Sequence, residues 1–340
     1  VSSGAVGRGR DRLRVLELYC GLGGCAAGLE PAVAAGAAEV VAAVDVNRLA
    51  LDAYRHNFPH PAVAATVESL DAARLRRWDA DLWWLSPPCQ PFTRRGLRRD
   101  DDDPRAATFL AVIDRVAEVR PRYLALENVP GFRGSRVHGR LLRTLERAGY
   151  GAVREGILCP TELGVPNRRR RFYLVAARGE LRDGGIPGGD ADSPAPETPP
   201  ATPLADHLDR EPSPELAVDP ELARRYRGAL HVVRADDPAA VTTCFTSAYG
   251  RSPVRSGSYL DTGDGLRRFA PAEILRLLGF PRRYALPAGL RLENGWRLAG
   301  NSLSVAAVRA VLAAVPELAP SLTPPRGRGR SSDRPPGSAG

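Results

Sequence analysis

Leu82-Trp83-Trp84-Leu85-Ser86-Pro87-Pro88-Cys89-Gln90-Pro91-Phe92-Thr93 is the stretch on which the reading of this chain turns. Four consecutive apolar residues bounded by turn formers read as a buried strand. Proline donates no ladder hydrogen bond, so Pro87 and Pro88 take the chain out of the sheet. Cys89 thereby falls on a stiff loop at the carboxyl end of a strand, where open α/β sheets bind their ligands. A thiol presented there is a candidate nucleophile. The competing reading, a small buried cysteine acting as a hydrophobe, is the commoner fate of a lone Cys. The rest of the chain decides between them.

Working outward, residues 13–19 and 40–46 read as further strands, as do 122–127 and 171–177. Helical stretches are expected near 25–35, 48–57, 106–120, 136–149, 271–279 and 302–315. Strands alternating with helices predict a parallel α/β sheet covered on both faces. The predicted organisation is a disordered N-terminus at 1–12 and a catalytic and cofactor-binding domain at 13–180. A Pro-rich linker and small target-recognition region follow at 181–262. A segment returning to the catalytic domain spans 263–318, with a disordered tail at 319–340.

Three further constellations carry chemistry. The first is Glu17-Leu18-Tyr19-Cys20-Gly21-Leu22-Gly23-Gly24, a strand entering a glycine turn and then a helix. Glycines admit close backbone approach, and a helix N-terminus offers free N–H groups. Asp45 ends the second strand about twenty residues on, where an acid binds ribose hydroxyls. The pair points to an adenosine-containing cofactor and does not separate NAD from S-adenosylmethionine. The second is Leu126-Glu127-Asn128-Val129-Pro130; a carboxyl beside apolar residues at a strand end can hold its proton and donate it. The third is Asn167-Arg168-Arg169-Arg170-Arg171-Phe172. On an extended segment Arg169 and Arg171 share a face and Arg170 points away. Taken singly, a tight turn with a surface acid, an ordinary surface carboxylate and a solvated basic run are the plainer readings of these three.

Composition sets the bounds. The chain of 340 residues is 43% hydrophobic, enough for one large domain with an insert or for two domains. No apolar run reaches eighteen residues, so no membrane span is expected, and no secretory leader is visible. The five cysteines, at 20, 25, 89, 159 and 244, form no CxxC pair, and the histidines show no HxxxH spacing. No metal site and a reducing compartment follow. The net charge of +9 suits a polyanionic partner such as nucleic acid. Every basic residue is arginine, a bias that GC-rich coding would also produce.

Together the motifs and their order resemble the cytosine-C5 methyltransferases, over about 13–180 and 262–315. The glycine loop is similar to that family's cofactor motif, Pro88-Cys89-Gln90 to its nucleophile motif and Glu127-Asn128-Val129 to its base-binding motif. Arg169-Arg170-Arg171 is similar to its arginine-x-arginine motif. Arg267 to Pro281, with Glu273, resembles its late helix, and Gly300-Asn301-Ser302 its last motif, which returns beside the cofactor. A narrower resemblance rests on Asp45-Val46-Asn47, Asn57-Phe58-Pro59-His60, Leu163-Gly164-Val165-Pro166-Asn167 and above all Cys244-Phe245-Thr246. These are similar to the subfamily once called the second DNA methyltransferase, which methylates cytosine-38 in the anticodon loop of aspartate tRNA.

The resemblance implies a Rossmann-like S-adenosylmethionine-dependent methyltransferase sheet with helices on both faces and a small inserted target-recognition region. It implies cofactor contacts from Leu22, Gly23, Gly24, Asp45, Val67, Glu68, Ser86 and Asn301. Cys89 would attack carbon 6 of cytosine, Glu127 protonate ring nitrogen 3 and Asn128 orient Glu127. Arg169 and Arg171 would hold the base carbonyl and a phosphate and lower the pKa of Cys89. The expected partner is tRNA (tRNA-Asp), with weak DNA binding, and the expected state is a cytoplasmic monomer with a nuclear pool as the alternative. The chain departs from the pattern at Cys20, Arg168 and Arg170, in a short 178–244 segment and in the charged loop 94–103. Three rival readings remain: a DNA cytosine methyltransferase, an NAD-dependent dehydrogenase that gives Cys89 no role, and a non-catalytic RNA-binding relative.

Overall fold

A computed structural model of the chain describes residues 12–89, 104–184, 186 and 200–323. Gln90 to Thr93, the charged loop 94–103 and most of the expected disordered ends therefore lie outside the described residues. A seven-stranded sheet runs through the centre. Its strands are β1 (Leu13–Leu18), β2 (Ala38–Asp45), β3 (Ala62–Ala64), β4 (Leu82–Leu85), β5 (Tyr123–Asn128), β6 (Ala152–Leu158) and β7 (Arg171–Ala177). The order across the sheet is β3-β2-β1-β4-β5-β7-β6.

The order reverses direction between β1 and β4, where β1 pairs in parallel with both β2 and β4. That reversal opens a crevice at the carboxyl ends of the strands. Side chains of β4 alternate across the sheet. Trp83 joins the core beneath one set of helices and Trp84 the core on the opposite face, both fully buried. Each ring removes roughly 200 Å² from water, about 5 kcal/mol as an upper bound.

Five helices follow the strands: α1 (Gly24–Ala34), α2 (Arg48–Asn57), α3 (Ala72–Arg77), α4 (Pro104–Val119) and α5 (Arg136–Arg147). Leu75, Ile113, Val116, Leu141 and Leu145 of the last three pack on the Trp83 face. Leu29 and Ala32 of α1 pack on the Trp84 face. The expected two-sided α/β sheet is thus present.

It is not all parallel. β7 runs antiparallel to both β5 and β6. β6 and β7 follow one another without an intervening α-helix, and strands so joined pair antiparallel. β6 escaped the sequence reading because Arg154, Glu155 and Gly156 interrupt its apolar pattern; it is an edge strand and largely half-exposed.

Beyond the sheet lie α6 (Pro220–Arg225) and a small three-stranded sheet of β8 (His231–Arg234), β9 (Ser258–Asp261) and β10 (Leu266–Arg268). α7 (Pro271–Leu277), α8 (Leu292–Gly300), α9 (Val305–Leu312) and α10 (Ala319–Leu322) complete the chain. Val308, Val311 and Leu312 of α9 return to the Trp84 face, where Arg309 also donates to the Gly28 carbonyl at 3.3 Å. Within the Pro-rich 181–262 region Leu204 and Leu216 are buried, where Pro203 and Pro214 start short turns, and Ala319 and Leu322 are buried at the start of the tail expected to be disordered.

The small lobe is fixed by a buried ion pair. Arg267 Nη1 and Nη2 donate to the two oxygens of Glu273, each at 2.8 Å, and Glu273 has no exposed surface. The same carboxylate accepts from the backbone N–H of Ala270 and Asp209. Removing one partner leaves an uncompensated buried charge, which typically costs about 3–5 kcal/mol. Glu273→Ala is expected to lower unfolding free energy by that amount in urea titrations, and Arg267→Met/Glu273→Met to recover most of it.

Candidate active site

Two clusters occupy the carboxyl end of the sheet. The first is built around the glycine turn between β1 and α1. Gly23 has φ +80°, and a Cβ there would lie 2.5 Å from the Phe58 ring, so the turn requires glycine. Tyr19 also has a positive φ of 58°, a strained setting for a bulky residue and one that clusters at functional sites. Asp45 Oδ2 accepts from Gly21 N at 2.8 Å and Oδ1 from Asn47 N at 2.8 Å. Burial raises the pKa of Tyr19, and the neighbouring carboxylates Glu68 and Asp45 raise it further. The turn, Asp45 and Glu68 therefore share one site. Val67 is buried, Val46 is 67% exposed beside Asp45, and Ser86 accepts from Trp84 Nε1 at 2.8 Å. Leu22 is buried, its carbonyl held by Tyr284 Oη at 2.8 Å. Leu303 packs against Gly24, which brings the 300–303 turn and the exposed Asn301 to the glycine turn.

Beneath this turn lies Glu17, a residue given no role in the sequence reading. Its Oε1 accepts from Cys25 N at 3.1 Å, so the carboxyl caps the first turn of α1 from below. Tyr54 Oη stands 3.4 Å from Glu17 Oε2 and 3.1 Å from His60 Nδ1. Burial pushes the Glu17 carboxyl up to about 8, opposed by the backbone N–H groups of Cys25 and Ala26. An acid set between the apolar residues Leu16 and Leu18 of a strand was the available signal.

The second cluster gathers Cys89, Glu127, Arg169, Arg171 and Cys244. Arg171 is its hub. Its Nε lies 3.2 Å from Glu127 Oε1, and its Nη2 donates to Cys244 Sγ at 3.7 Å. Burial raises the Cys89 thiol above its ordinary range; Arg171 and Arg169 oppose this and Glu127 reinforces it. The arginines thus moderate the thiol's rise and do not reverse it, contrary to the expectation of a lowered pKa. Burial likewise raises Glu127, again opposed by Arg171 and Arg169. A raised carboxyl retains its proton longer, the property a proton donor needs.

Arg169 and Arg171 do converge on one side, both donating to Cys244 Sγ. Arg169, however, is not available to hold a substrate. It is buried, and its guanidinium donates to the carbonyls of Phe245 at 3.1 Å, Gly300 at 3.2 Å and Ser302 at 2.5 Å. Its place is structural: it ties the 244–246 and 300–302 segments to the reaction centre. Alternation along a strand predicted a shared face but not which arginine the protein's own carbonyls would claim.

Asn128 is also buried. Its Oδ1 accepts from Val129 N at 2.8 Å, and its Nδ2 has no partner among the described residues. It shapes the turn after β5, with no hydrogen bond to Glu127 found. Cys244 was singled out in the sequence for its triplet, not for chemistry. Burial works against its thiolate, yet Arg171 and Arg169 outweigh burial and lower its pKa.

A Rossmann-like sheet with a glycine-turn cofactor cradle, beside a cysteine, a proton-retaining glutamate and an arginine, defines an α/β methyltransferase with a cysteine-centred site. Residues 13–226 match the family model of the C-5 cytosine-specific DNA methylases. The chain belongs to the cytosine-C5 methyltransferase family. It is 31% identical to the human tRNA (cytosine(38)-C(5))-methyltransferase over 383 residues, an alignment covering 87% of this chain and 97% of that protein. The crystal structure of the S. pombe Dnmt2 methyltransferase superposes with a TM-score of 0.75 at 29% identity, covering 91% of this chain and 99% of that one. A Dictyostelium discoideum protein named DNA (cytosine-5)-methyltransferase is 29% identical over 367 residues, covering 89% and 94%.

Glu17 generates a pH prediction. Its folded pKa is raised to about 8 from 4.5, so the folded protein binds a proton that the unfolded chain releases. Its contribution is complete below pH 4.5 and is lost as pH rises through about 8. Glu17→Gln keeps an acceptor for Cys25 N and removes the titration. The variant's melting temperature should approach the wild-type value at pH 5 and exceed it at pH 9; calorimetry at the two pH values checks the crossover.

Proposed function

We propose that this chain transfers a methyl group from S-adenosylmethionine to carbon 5 of cytosine-38 in the anticodon loop of aspartate tRNA, through a covalent adduct of Cys89. The observation that carries the chemistry is the convergence on Arg171 of Cys89, Glu127 and Cys244. The relatives named for tRNA cytosine-38 support the substrate.

The first cluster fits the cofactor. The glycine turn gives close backbone approach, exposed Val46 offers an apolar face to a ring, and Asp45 and Glu68 offer acceptors to hydroxyls. Leu22, Gly23, Gly24, Val67, Ser86 and Asn301 border the same cradle. S-adenosylmethionine would supply an electrophilic methyl group there.

At the base, Cys89 loses its thiol proton to solvent and adds as the thiolate to carbon 6, and the C5–C6 double bond supplies the electron pair that makes carbon 5 nucleophilic. Glu127 gives its proton to ring nitrogen 3 as negative charge develops there. Arg171 stays charged and balances the thiolate and the Glu127 carboxylate in a low-dielectric setting. After methylation a base removes the carbon 5 proton, the C5–H electron pair re-forms the C5–C6 double bond and expels Cys89 as thiolate, and the proton on nitrogen 3 returns to Glu127, restoring the aromatic ring. An unpaired loop cytosine avoids the few kcal/mol of extraction that a duplex base requires. A DNA substrate is the second reading, favoured by the Dictyostelium relative's name.

Cys89→Ala is expected to abolish methyl transfer, a loss of at least several thousandfold, with S-adenosylmethionine affinity unchanged by calorimetry. Asp45→Ala is expected to weaken cofactor binding about ten- to hundredfold, since a charge-assisted hydrogen bond contributes roughly 1.5–3 kcal/mol. For the substrate, aspartate tRNA and duplex DNA are incubated side by side with enzyme and S-adenosylmethionine and then sequenced after bisulfite treatment. Protection of the anticodon-loop cytosine alone is the expected result; protected cytosines in the DNA alone would establish the second reading.

A further inference from the structure

Helix α5 leaves the catalytic end of the sheet directly after Glu127 and Asn128, through a short turn at Pro130–Phe132. Its sequence, Arg136-Val137-His138-Gly139-Arg140-Leu141-Leu142-Arg143-Thr144-Leu145-Glu146-Arg147, is strongly two-faced. Val137, His138, Leu141 and Leu145 are buried against the sheet. Arg136, Arg140, Arg143 and Arg147 are exposed. Spaced by four, three and four residues, the arginines fall within an arc of about 60° when each residue turns the helix 100°. No acid falls inside that arc. They are separated by roughly 4.5–6 Å along the axis, so the row is about 16 Å long.

Among the described residues, the charges that face Arg140, Arg143 and Arg147 are few. Asp114 of α4 accepts from Arg140 at 2.7 Å, with both side chains about half exposed, and such a pair contributes little. Glu118 is engaged by Arg115 of its own helix at 2.5 Å. Glu155 is engaged by His138 at 2.8 Å and by Arg133 at 3.5 Å. Glu146 lies on the helix flank, outside the arc.

Arg140 pairs with one half-exposed acid of α4, and Arg143 and Arg147 make no ion pair among the described residues, so the outer part of the row holds little of the fold together. Exposed arginines at this regular spacing repel one another, and a few alternating acids would have served solubility as well. We propose that the arginine row of α5 is a phosphate track for the substrate RNA, gripping one strand of the stem that leads to the target loop. The row begins at the end of the helix nearest Glu127 and runs away from it down the flank of the sheet. A base entering the site would therefore have its own strand's backbone directed along α5. The step between arginines is comparable to that between successive phosphates on one strand. Guanidinium groups bind phosphate oxygens in pairs, and a helix holds the row rigid. Phosphate contacts of this kind position a nucleic acid without reading its sequence. The proposal rests on the tRNA reading given above.

The test uses the full chain with Arg140→Gln/Arg143→Gln/Arg147→Gln, and with the three lysine replacements that keep the charge. Binding to transcribed aspartate tRNA is measured by anisotropy between low and moderate salt, beside methylation kinetics and S-adenosylmethionine calorimetry. The salt slope of the glutamine variant should fall by about two to three, one contact per arginine removed, and its affinity at moderate salt by about tenfold. The lysine variant should keep the wild-type slope, and cofactor affinity should be the same in all three. Wild-type enzyme that methylates tRNA, with a glutamine variant of unchanged slope and affinity, would overturn the track alone. Wild-type enzyme inert on tRNA and active on duplex DNA would overturn the substrate reading, and the occupant named here with it.

Discussion

The rest of the site depends on satisfying a buried guanidinium. Arg169 sits in the interior, and a charge there is tolerable only when its donors find acceptors. Its two Nη groups find them in three backbone carbonyls, from Phe245, Gly300 and Ser302, while Nε has no partner among the described residues. These come from segments more than seventy residues downstream, so the reaction centre cannot close until the chain has returned on itself. Gly300 makes the approach possible: a Cβ at that position would lie 2.2 Å from the Thr246 carbonyl carbon. The demand of one cation thus sets the position of Cys244, which in turn lies beside Arg171.

Arg171 inherits a different task because Arg169 has taken the carbonyls. It retains a link to Glu127 and to Cys244 and stands where the charges of Cys89 and Glu127 are both felt. Burial alone would hold Cys89 and Glu127 neutral, and the hub's positive charge keeps either from being locked there. Nucleophilic addition and proton donation need that balance, since one group must reach its anion and the other give up its proton. Cys244 differs from Cys89 because both arginines donate to it directly, so its thiolate is favoured although it is buried. One pair of cations therefore sets two thiols to opposite sides of their ordinary range.

Much of this was legible in the chain, for reasons that separate the readable from the unreadable. Strands β2, β4, β5 and β7 each carry an unbroken apolar run of four residues or more, because a strand buried on both faces has no polar side to interrupt it; β1, broken by Arg14 and Glu17, was legible through the glycine turn that follows it. β6 and β3 lie at the two edges of the sheet and lack that signature. The all-parallel expectation failed there, since it rested on alternating helices and strands and β6 was not counted. α8 was missed because Asn294 and Gly295 in its first half read as a turn. Cys89, Glu127 and the arginines were visible as residue types at strand ends. The division of labour between Arg169 and Arg171 was not, because carbonyls from distant segments decide it. Glu17 stood within a quoted motif, yet only its depth beneath α1 reveals that it caps the helix and holds a proton.

The two clusters also explain why the chemistry sits on this part of the sheet. The cofactor cradle is made at the ends of β1 and β2 and the reaction centre at the ends of β4, β5 and β7. β1 and β4 are hydrogen-bonded neighbours, and Ser86 N donates to the Leu18 carbonyl across their ends at 3.3 Å. The two clusters are therefore carried by neighbouring strands, spaced about 4.8 Å apart. On the proposed reaction, the methyl donor and the target base would be held at the ends of adjoining strands. α5 is the helix that leaves the Glu127 turn, and its outward face is the arginine row. On the proposed reading, a polyanion held on that face would have its backbone on the same side as Glu127, so one helix would link gripping the substrate to presenting its base.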